Sequence, residues 1–300
     1  MSASLLFDRS LARIRRRRAL ALGLATFLLD RVADDVAGRL ASVLRRFAIA
    51  VDLGTPGDAL RRALMSGQQV ETLIAIDCVP DTLAAARPFA AVAEEDLLPL
   101  ATASVDLVVS GLSLQAVNDL PGAFTQIRLA LKPDGLFLAA LIGGDTLTEL
   151  RQSFAEAEAE IEGGVSPRVA PFADVRAIGA LLQRAGFALP VTDLDRVTVR
   201  YDTAFALMHD LRRMGASNVL RERRRTPLRR ATLMRMAQIY HERFADADGR
   251  VRATFDIVWL SGWAPHASQQ QPLAPGSAKH RLADALGTRE FGPDDPVPSK

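Results

Sequence analysis

Short apolar runs, separated by stretches of helical period, organise this chain. Runs at 48–53, 70–77, 90–93, 105–109 and 136–142 are rich in Val, Ile, Leu and Ala. Near-continuous apolarity over such lengths predicts strands buried on both faces. Between the last two lies a helical signal. Asn118 and Asp119 precede Pro121, a helix start with Pro inside the first turn. Phe124, Ile127 and Leu131 then recur on one face. Lys132-Pro133-Asp134-Gly135 should stop that helix, because Pro cannot continue it and Gly accepts a positive φ. Strand, helix, turn and strand make a right-handed crossover, the unit of an open parallel sheet.

The same rhythm extends outward. Residues 5–46 read as two helices, the second striped by Val32, Val36, Leu40, Val43 and Leu44. A helix begins at 60–65, and another spans 172–185, closed by Gly186. Alternation at 191–201 predicts a sixth strand, 203–244 an Arg-rich helical stretch, and 254–259 a seventh strand. From residue 264 onward Pro, Gly, Gln and charge predict a disordered tail. Strands alternating with helices predict an α/β doubly wound sheet, with its ligand outside the carboxyl ends of the strands.

Composition narrows the class. Of 300 residues, 49% are apolar and 24% charged, which suits a soluble globular protein with a sizeable core. The formal net charge of +2 gives no global nucleic-acid signature. Lysine occurs only at 132, 279 and 300, so nearly every base is arginine. Cys78 stands alone, which rules out a disulfide within one chain and fits a reducing compartment. Arg15 to Arg18 followed by apolar residues 19–29 imitates a signal peptide. The run is too short to span a bilayer, lacks a small-residue cleavage site and passes into an amphipathic pattern, so a structural helix is expected.

The crossover with its L-K-P-D-G turn resembles strands four and five of class I S-adenosylmethionine (SAM) methyltransferases. L-S-L-Q-A-V-N-D-L-P (112–121), G-G-D-T-L-T-E-L-R (143–151) and G-W-A-P-H-A-S-Q (262–269) are similar to one branch, the mitochondrial complex I assembly factor 5 family and its bacterial relatives. That resemblance runs from Phe7 to about Ser277. It implies a Rossmann-like, seven-stranded core at 47–201, completed by a last strand at 251–263. It also implies an N-terminal helical cap at 1–46, a helical lid insertion at 202–250 and a tail at 264–300. A cytoplasmic protein is implied, at the inner face of a bacterial inner membrane through peripheral contact.

The resemblance assigns a cofactor site. SAM sites carry an acid-x-Gly-x-Gly-x-Gly loop after strand one, where glycine lets backbone approach the ligand. Here the loop reads Asp52-Leu53-Gly54-Thr55-Pro56-Gly57-Asp58. Asp52 and Gly54 match, Gly57 lies one residue out of register, and Pro56 and Asp58 replace glycines. Asp58 either repels the ligand's carboxylate or caps the following helix. Asp77 ends strand two, where a carboxylate takes ribose hydroxyls. Asp96 is assigned to the adenine amino group, Leu97 to its apolar wall, and Ser110 to the floor.

Two residues are catalytic candidates. Gln115-Ala116 stands where relatives carry His-Trp, and Gln115 still donates and accepts hydrogen bonds. Asp145 follows strand five, placed to hold a guanidinium or to cap a helix near Thr146. No histidine pair has metal-ligand spacing. Nine arginines between Arg212 and Arg235 make either a docking face for an acidic partner or a solvated face.

Three functions follow. The family implies assembly of NADH–quinone oxidoreductase by hydroxylating an arginine of its quinone-proximal iron–sulfur subunit. An ordinary SAM-dependent methyltransferase acting on a small or carrier-bound acid, of the malonyl-acyl-carrier-protein type, shares much of the pattern. A cofactor-free assembly factor is the third.

Overall fold

The apolar runs assemble into one seven-stranded sheet with strand order β3-β2-β1-β4-β5-β7-β6 in the computed structural model, which describes residues 5–86, 88–270, 277 and 282–288. β1 (Phe47–Leu53), β2 (Val70–Asp77), β3 (Ala90–Val92), β4 (Val105–Gly111) and β5 (Leu131–Gly143) pair in parallel. β7 (Val251–Trp263) runs antiparallel between β5 and β6 (Ala188–Tyr201). The sheet is therefore mixed, with β1 to β5 forming its parallel part. β4 is buried at all seven positions, as expected of a strand dominated by Val and Leu, with Asp106 and Ser110 buried among them.

α1 (Arg9–Leu22) and α2 (Phe27–Ala41) precede the sheet. The signal-peptide-like run is divided between them at Gly23, which has φ +78°. α2 buries Leu28, Leu29, Val32, Ala33, Val36 and Leu40. It packs on α3 (Ala59–Ser66) and on the face of β1 and β4. The predicted stripe runs two residues, Val43 and Leu44, past the helix. α2 ends at Ala41, and Leu44 is 102% exposed.

α4 (Leu120–Ala130) starts as its sequence predicts. Asp119 Oδ1 accepts from the Gly122 N–H at 2.9 Å, and Pro121 sits in the first turn. Phe124 and Ile127 are buried, but Leu131 already belongs to β5. The turn also works differently. Asp134, not Gly135, takes the positive φ, at 63°. Gly135 serves close packing, since a Cβ there would lie 2.9 Å from the Lys132 carbonyl oxygen.

α5 (Thr148–Glu162) and α6 (Val175–Arg184) follow, the latter capped by Asp174 and closed by Gly186 at φ +83°. The single helical stretch expected over 203–244 is two helices, α7 (Ala204–Arg213) and α8 (Arg230–Phe244). Gly215, at φ +71°, ends the first, and an irregular link reaches the second. α5, α8 and α7 share an apolar core over β7 that includes Phe154, Leu207, Tyr240 and Phe255.

Residues Met1–Pro265 form one compact unit. Order in it extends past the predicted tail start, because Ala264 is buried and donates to the Gly135 carbonyl. In the second unit, Leu282–Leu286 form a short helix, α9. The rest of the expected tail, 271–276, 278–281 and 289–300, lies outside the described residues.

Candidate functional site

The parallel half of the sheet brings two predicted acids together. Asp52 near the end of β1 and Asp77 at the end of β2 line one cleft with Thr55, Gly57 and Asp58. Asp52 is buried, and its Oδ1 has no hydrogen-bond partner. Burial pushes its carboxyl up to about 7, against a lowering hydrogen bond from Thr55. Gly54 has φ +71°, and a Cβ there would lie 2.8 Å from both Glu95 Oε1 and Ser113 Oγ. Only glycine fits that approach.

The two departures from the glycine motif are less obstructive than their chemistry predicts. Asp58 occupies the N-cap position of α3 but makes no side-chain cap. Its carboxylate is 49% exposed and lies 3.6 Å from Arg62, one helical turn along. Gly57 keeps φ +75° beside Pro56. A buried carboxylate with one oxygen free of partners, a glycine cradle and a strand-end acid are a set that fits an adenosyl ligand.

A second set of residues, absent from the sequence reading of this site, reaches Asp77 and Gly54 from α1. α1 presents Arg9, Arg13 and Arg16 on one face, at i, i+4 and i+7. Arg16 Nη2 donates to Asp77 Oδ2 at 2.6 Å and to the Gly54 carbonyl at 2.8 Å. Its Nη1 lies 3.5 Å from Glu95 Oε1. Arg9 pairs with Glu94 and Glu95, and Arg13 reaches Glu94 at 2.8 Å. Burial pushes the Asp77 and Glu95 carboxyls up, and the arginines oppose it. Cys78, Glu94 and Glu95 bring ligand atoms within 4.8 Å of one another, yet the same atoms already carry these guanidiniums. Burial pushes the Cys78 thiol up to about 11, away from thiolate chemistry.

The remaining candidates fall in different places. Leu97 is 73% exposed and does not line the cleft. The Asp96 carbonyl accepts from Gln126 Nε2 at 2.7 Å. Ser110 is fully buried, and its hydroxyl is used on the Leu53 carbonyl at 2.8 Å, tying β4 to β1. Gln115 Nε2 donates to the Leu112 carbonyl at 2.7 Å, leaving a buried Oε1 without a partner. Leu112 itself holds a positive φ of 52°, a strained turn at the end of β4.

Asp145 sits apart from Asp52 and Asp77, toward β7 and β6. Arg196 Nη2 donates to its Oδ2 at 2.8 Å, and the Arg196 Nε holds the buried Asp256 at 2.7 Å. It is not the cap of α5, whose N-cap position is Leu147 at φ 55°. Of the nine lid arginines, Arg213, Arg223, Arg224 and Arg235 are ion-paired within the fold, to Asp210, Asp8, Glu162 and Glu160. The docking-face reading is thereby confined to the others.

Comparison with known proteins agrees with this architecture. Residues 51–139 match the family model described as a methyltransferase domain. The chain is 39% identical to the mitochondrial arginine hydroxylase NDUFAF5 of Danio rerio, over 93% of this chain and 88% of that one. It is 34% identical to the malonyl-[acyl-carrier protein] O-methyltransferase of Laribacter hongkongensis, over 84% of this chain and 88% of that one. The crystal structure of YcgJ from Bacillus subtilis superposes with a TM-score of 0.52 at 13% identity, covering 77% of this chain and 98% of the other. That likeness carries the fold alone. Among the described residues no helix is long and apolar enough to cross a membrane. A place at the inner face of a bacterial membrane has no observation behind it. With the mixed seven-stranded sheet, the glycine cradle beneath α1 and identity along most of its length, this chain belongs to the class I SAM-dependent methyltransferase superfamily, in the family of the arginine hydroxylase NDUFAF5.

Proposed function

We propose that this chain binds SAM at the carboxyl ends of β1 and β2 and hydroxylates an arginine of a protein substrate. The substrate in this reading is a quinone-proximal subunit of NADH–quinone oxidoreductase, modified during assembly. The observation that carries the reading is the reach of the similarity. Identity to the zebrafish arginine hydroxylase covers 93% of the chain, lid helices included, whereas the methyltransferase-domain match ends at residue 139.

In this reading Asp77 takes the ribose hydroxyls, Gly54 and Gly57 allow close backbone approach, and Asp52 forms the acidic floor. When bound, SAM supplies an electrophilic sulfonium methyl group. The buried Gln115 Oε1 offers a neutral acceptor for a guanidinium N–H near the end of β4. Asp145 is already held by Arg196, so its part is to anchor the β5–α5 turn rather than to meet the substrate alone. Hydroxylation replaces a C–H bond with C–OH. It consumes dioxygen and a two-electron donor with two protons, and it releases water.

A second reading rests on the 34% identity to a malonyl-[acyl-carrier protein] O-methyltransferase. Peptide mass spectrometry of the oxidoreductase's peripheral arm separates the two. Arms from cells with and without this chain are compared. The first reading expects one arginine to gain the mass of an oxygen atom only when the chain is present. An unchanged arm, together with methyl transfer from labelled SAM to a carrier-bound acid, would establish the second. An unchanged arm with neither activity would leave a non-catalytic assembly factor.

A further inference from the structure

We infer that Arg16 sets the affinity of the cofactor cleft, with α1 acting as a lid that the ligand must displace. The inference rests on the reading that this cleft takes SAM. Both carboxylate oxygens of Asp77 are engaged. Oδ1 accepts from the Val79 N–H at 2.7 Å, and Oδ2 accepts from Arg16 Nη2 at 2.6 Å. The same guanidinium nitrogen covers the Gly54 carbonyl, the backbone group nearest the glycine cradle. A ribose diol that reaches Asp77 meets the Arg16 guanidinium already there.

The rest of α1 is attached in the same manner. Ala19 is its only buried residue, while Ile14 and Leu22 are exposed. Beyond Arg9, Arg13 and Arg16, Arg17 pairs with Asp81 at 3.1 Å. Four arginines of one helix make six ion pairs to the end of β2, the turn after it and the link after β3, with little apolar burial beneath. Ion pairs of this kind exchange partners and respond to salt more readily than packed apolar contacts.

The start of α1 is also clipped to the link between α7 and α8. Phe7 bridges Leu220, the Asp8 N–H donates to the Val219 carbonyl, and Arg223 lies 3.3 Å from Asp8. Displacing α1 therefore pulls on the lid link, so cofactor entry and lid position are coupled. A ligand that binds only the displaced form shows an affinity reduced by the fraction of molecules in that form.

Calorimetric titration of the full chain with S-adenosylhomocysteine, at low and high NaCl, tests this. The proteins are wild type, Arg16→Gln, Asp77→Asn and, as a control at an exposed position of the same helix, Arg18→Gln. Loss of one charge-assisted contact to the covered acid corresponds to about tenfold tighter binding by Arg16→Gln. Wild type should bind more tightly as salt rises, a response that is smaller in Arg16→Gln. Asp77→Asn should bind weakly or not at all, and Arg18→Gln should match wild type. Weaker or unchanged binding by Arg16→Gln, or wild-type binding that falls with salt, would overturn the lid while leaving the cofactor site standing. No binding by either wild type or Arg16→Gln would overturn the cofactor reading, and the lid with it.

Discussion

The two N-terminal helices are of similar length, 14 and 15 residues, and are fastened to the same sheet by opposite means. α2 inserts six apolar side chains into the core and makes few ionic contacts, all at its exposed edge with β6. α1 inserts one alanine and spreads its arginines over the acids of the cleft. Apolar burial is insensitive to charge and salt, whereas ion pairs depend on both. The difference separates a structural element from a movable one. α2 belongs to the scaffold, and α1 belongs to the site.

The largest expected effect breaks the scaffold side. Leu40→Ala in α2 removes a fully packed side chain and should cost about 2–5 kcal/mol in denaturant unfolding. A cost below about 1 kcal/mol would mean that α2 is no better anchored than α1.

The next concerns the floor that α1 covers. The folded-state proton of Asp52 is held up to about pH 7, well above the unfolded value of 3.8. Between those values the folded state binds the extra proton, so the stability contributed by Asp52 falls as pH rises and is fully lost above pH 7. Asp52→Asn should remove that slope and gain about 3–4 kcal/mol over wild type at pH 8. At pH 4 the two should unfold at nearly the same denaturant concentration. Parallel pH profiles would contradict the buried, ionisable floor.

A smaller effect is expected from α1 itself. Arg9→Ala with Arg16→Ala leaves Glu95 buried without its cations, a cost of about 1–3 kcal/mol at pH 8. Burial already raises the Glu95 carboxyl. Removing the arginines raises it further, so the cost should shrink at acid pH as the carboxyl takes a proton. Adding Glu95→Gln should restore stability at pH 8. The smallest effect is Ile14→Ala on the exposed part of α1, within about 0.5 kcal/mol.

Much of the scaffold was legible because its strands are buried on both faces. β4 and β5 read as near-continuous apolar runs at 105–109 and 136–142, and Asp119 with Pro121 marked the start of α4. The antiparallel placement of β7 was not legible, since strand order depends on contacts far apart in the chain. The break between α7 and α8 was missed because arginine-rich sequence keeps helical composition through the link. Gly215 and Pro227 were the available signals. At the site, Asp52 and Asp77 were visible as strand-end acids. Arg16 was not, because its partner lies 61 residues away. Its i, i+4, i+7 spacing with Arg9 and Arg13 was present in the sequence, but a basic stripe does not name the acids that will meet it.

Hydrogen exchange of the native chain, followed separately in α1 and α2 as NaCl is raised, tests the central difference most directly. The account predicts that α1 amides exchange faster than those of α2 and lose further protection with salt, while α2 is unchanged. Equal protection in the two helices at every salt concentration would contradict it and make α1 a fixed part of the scaffold.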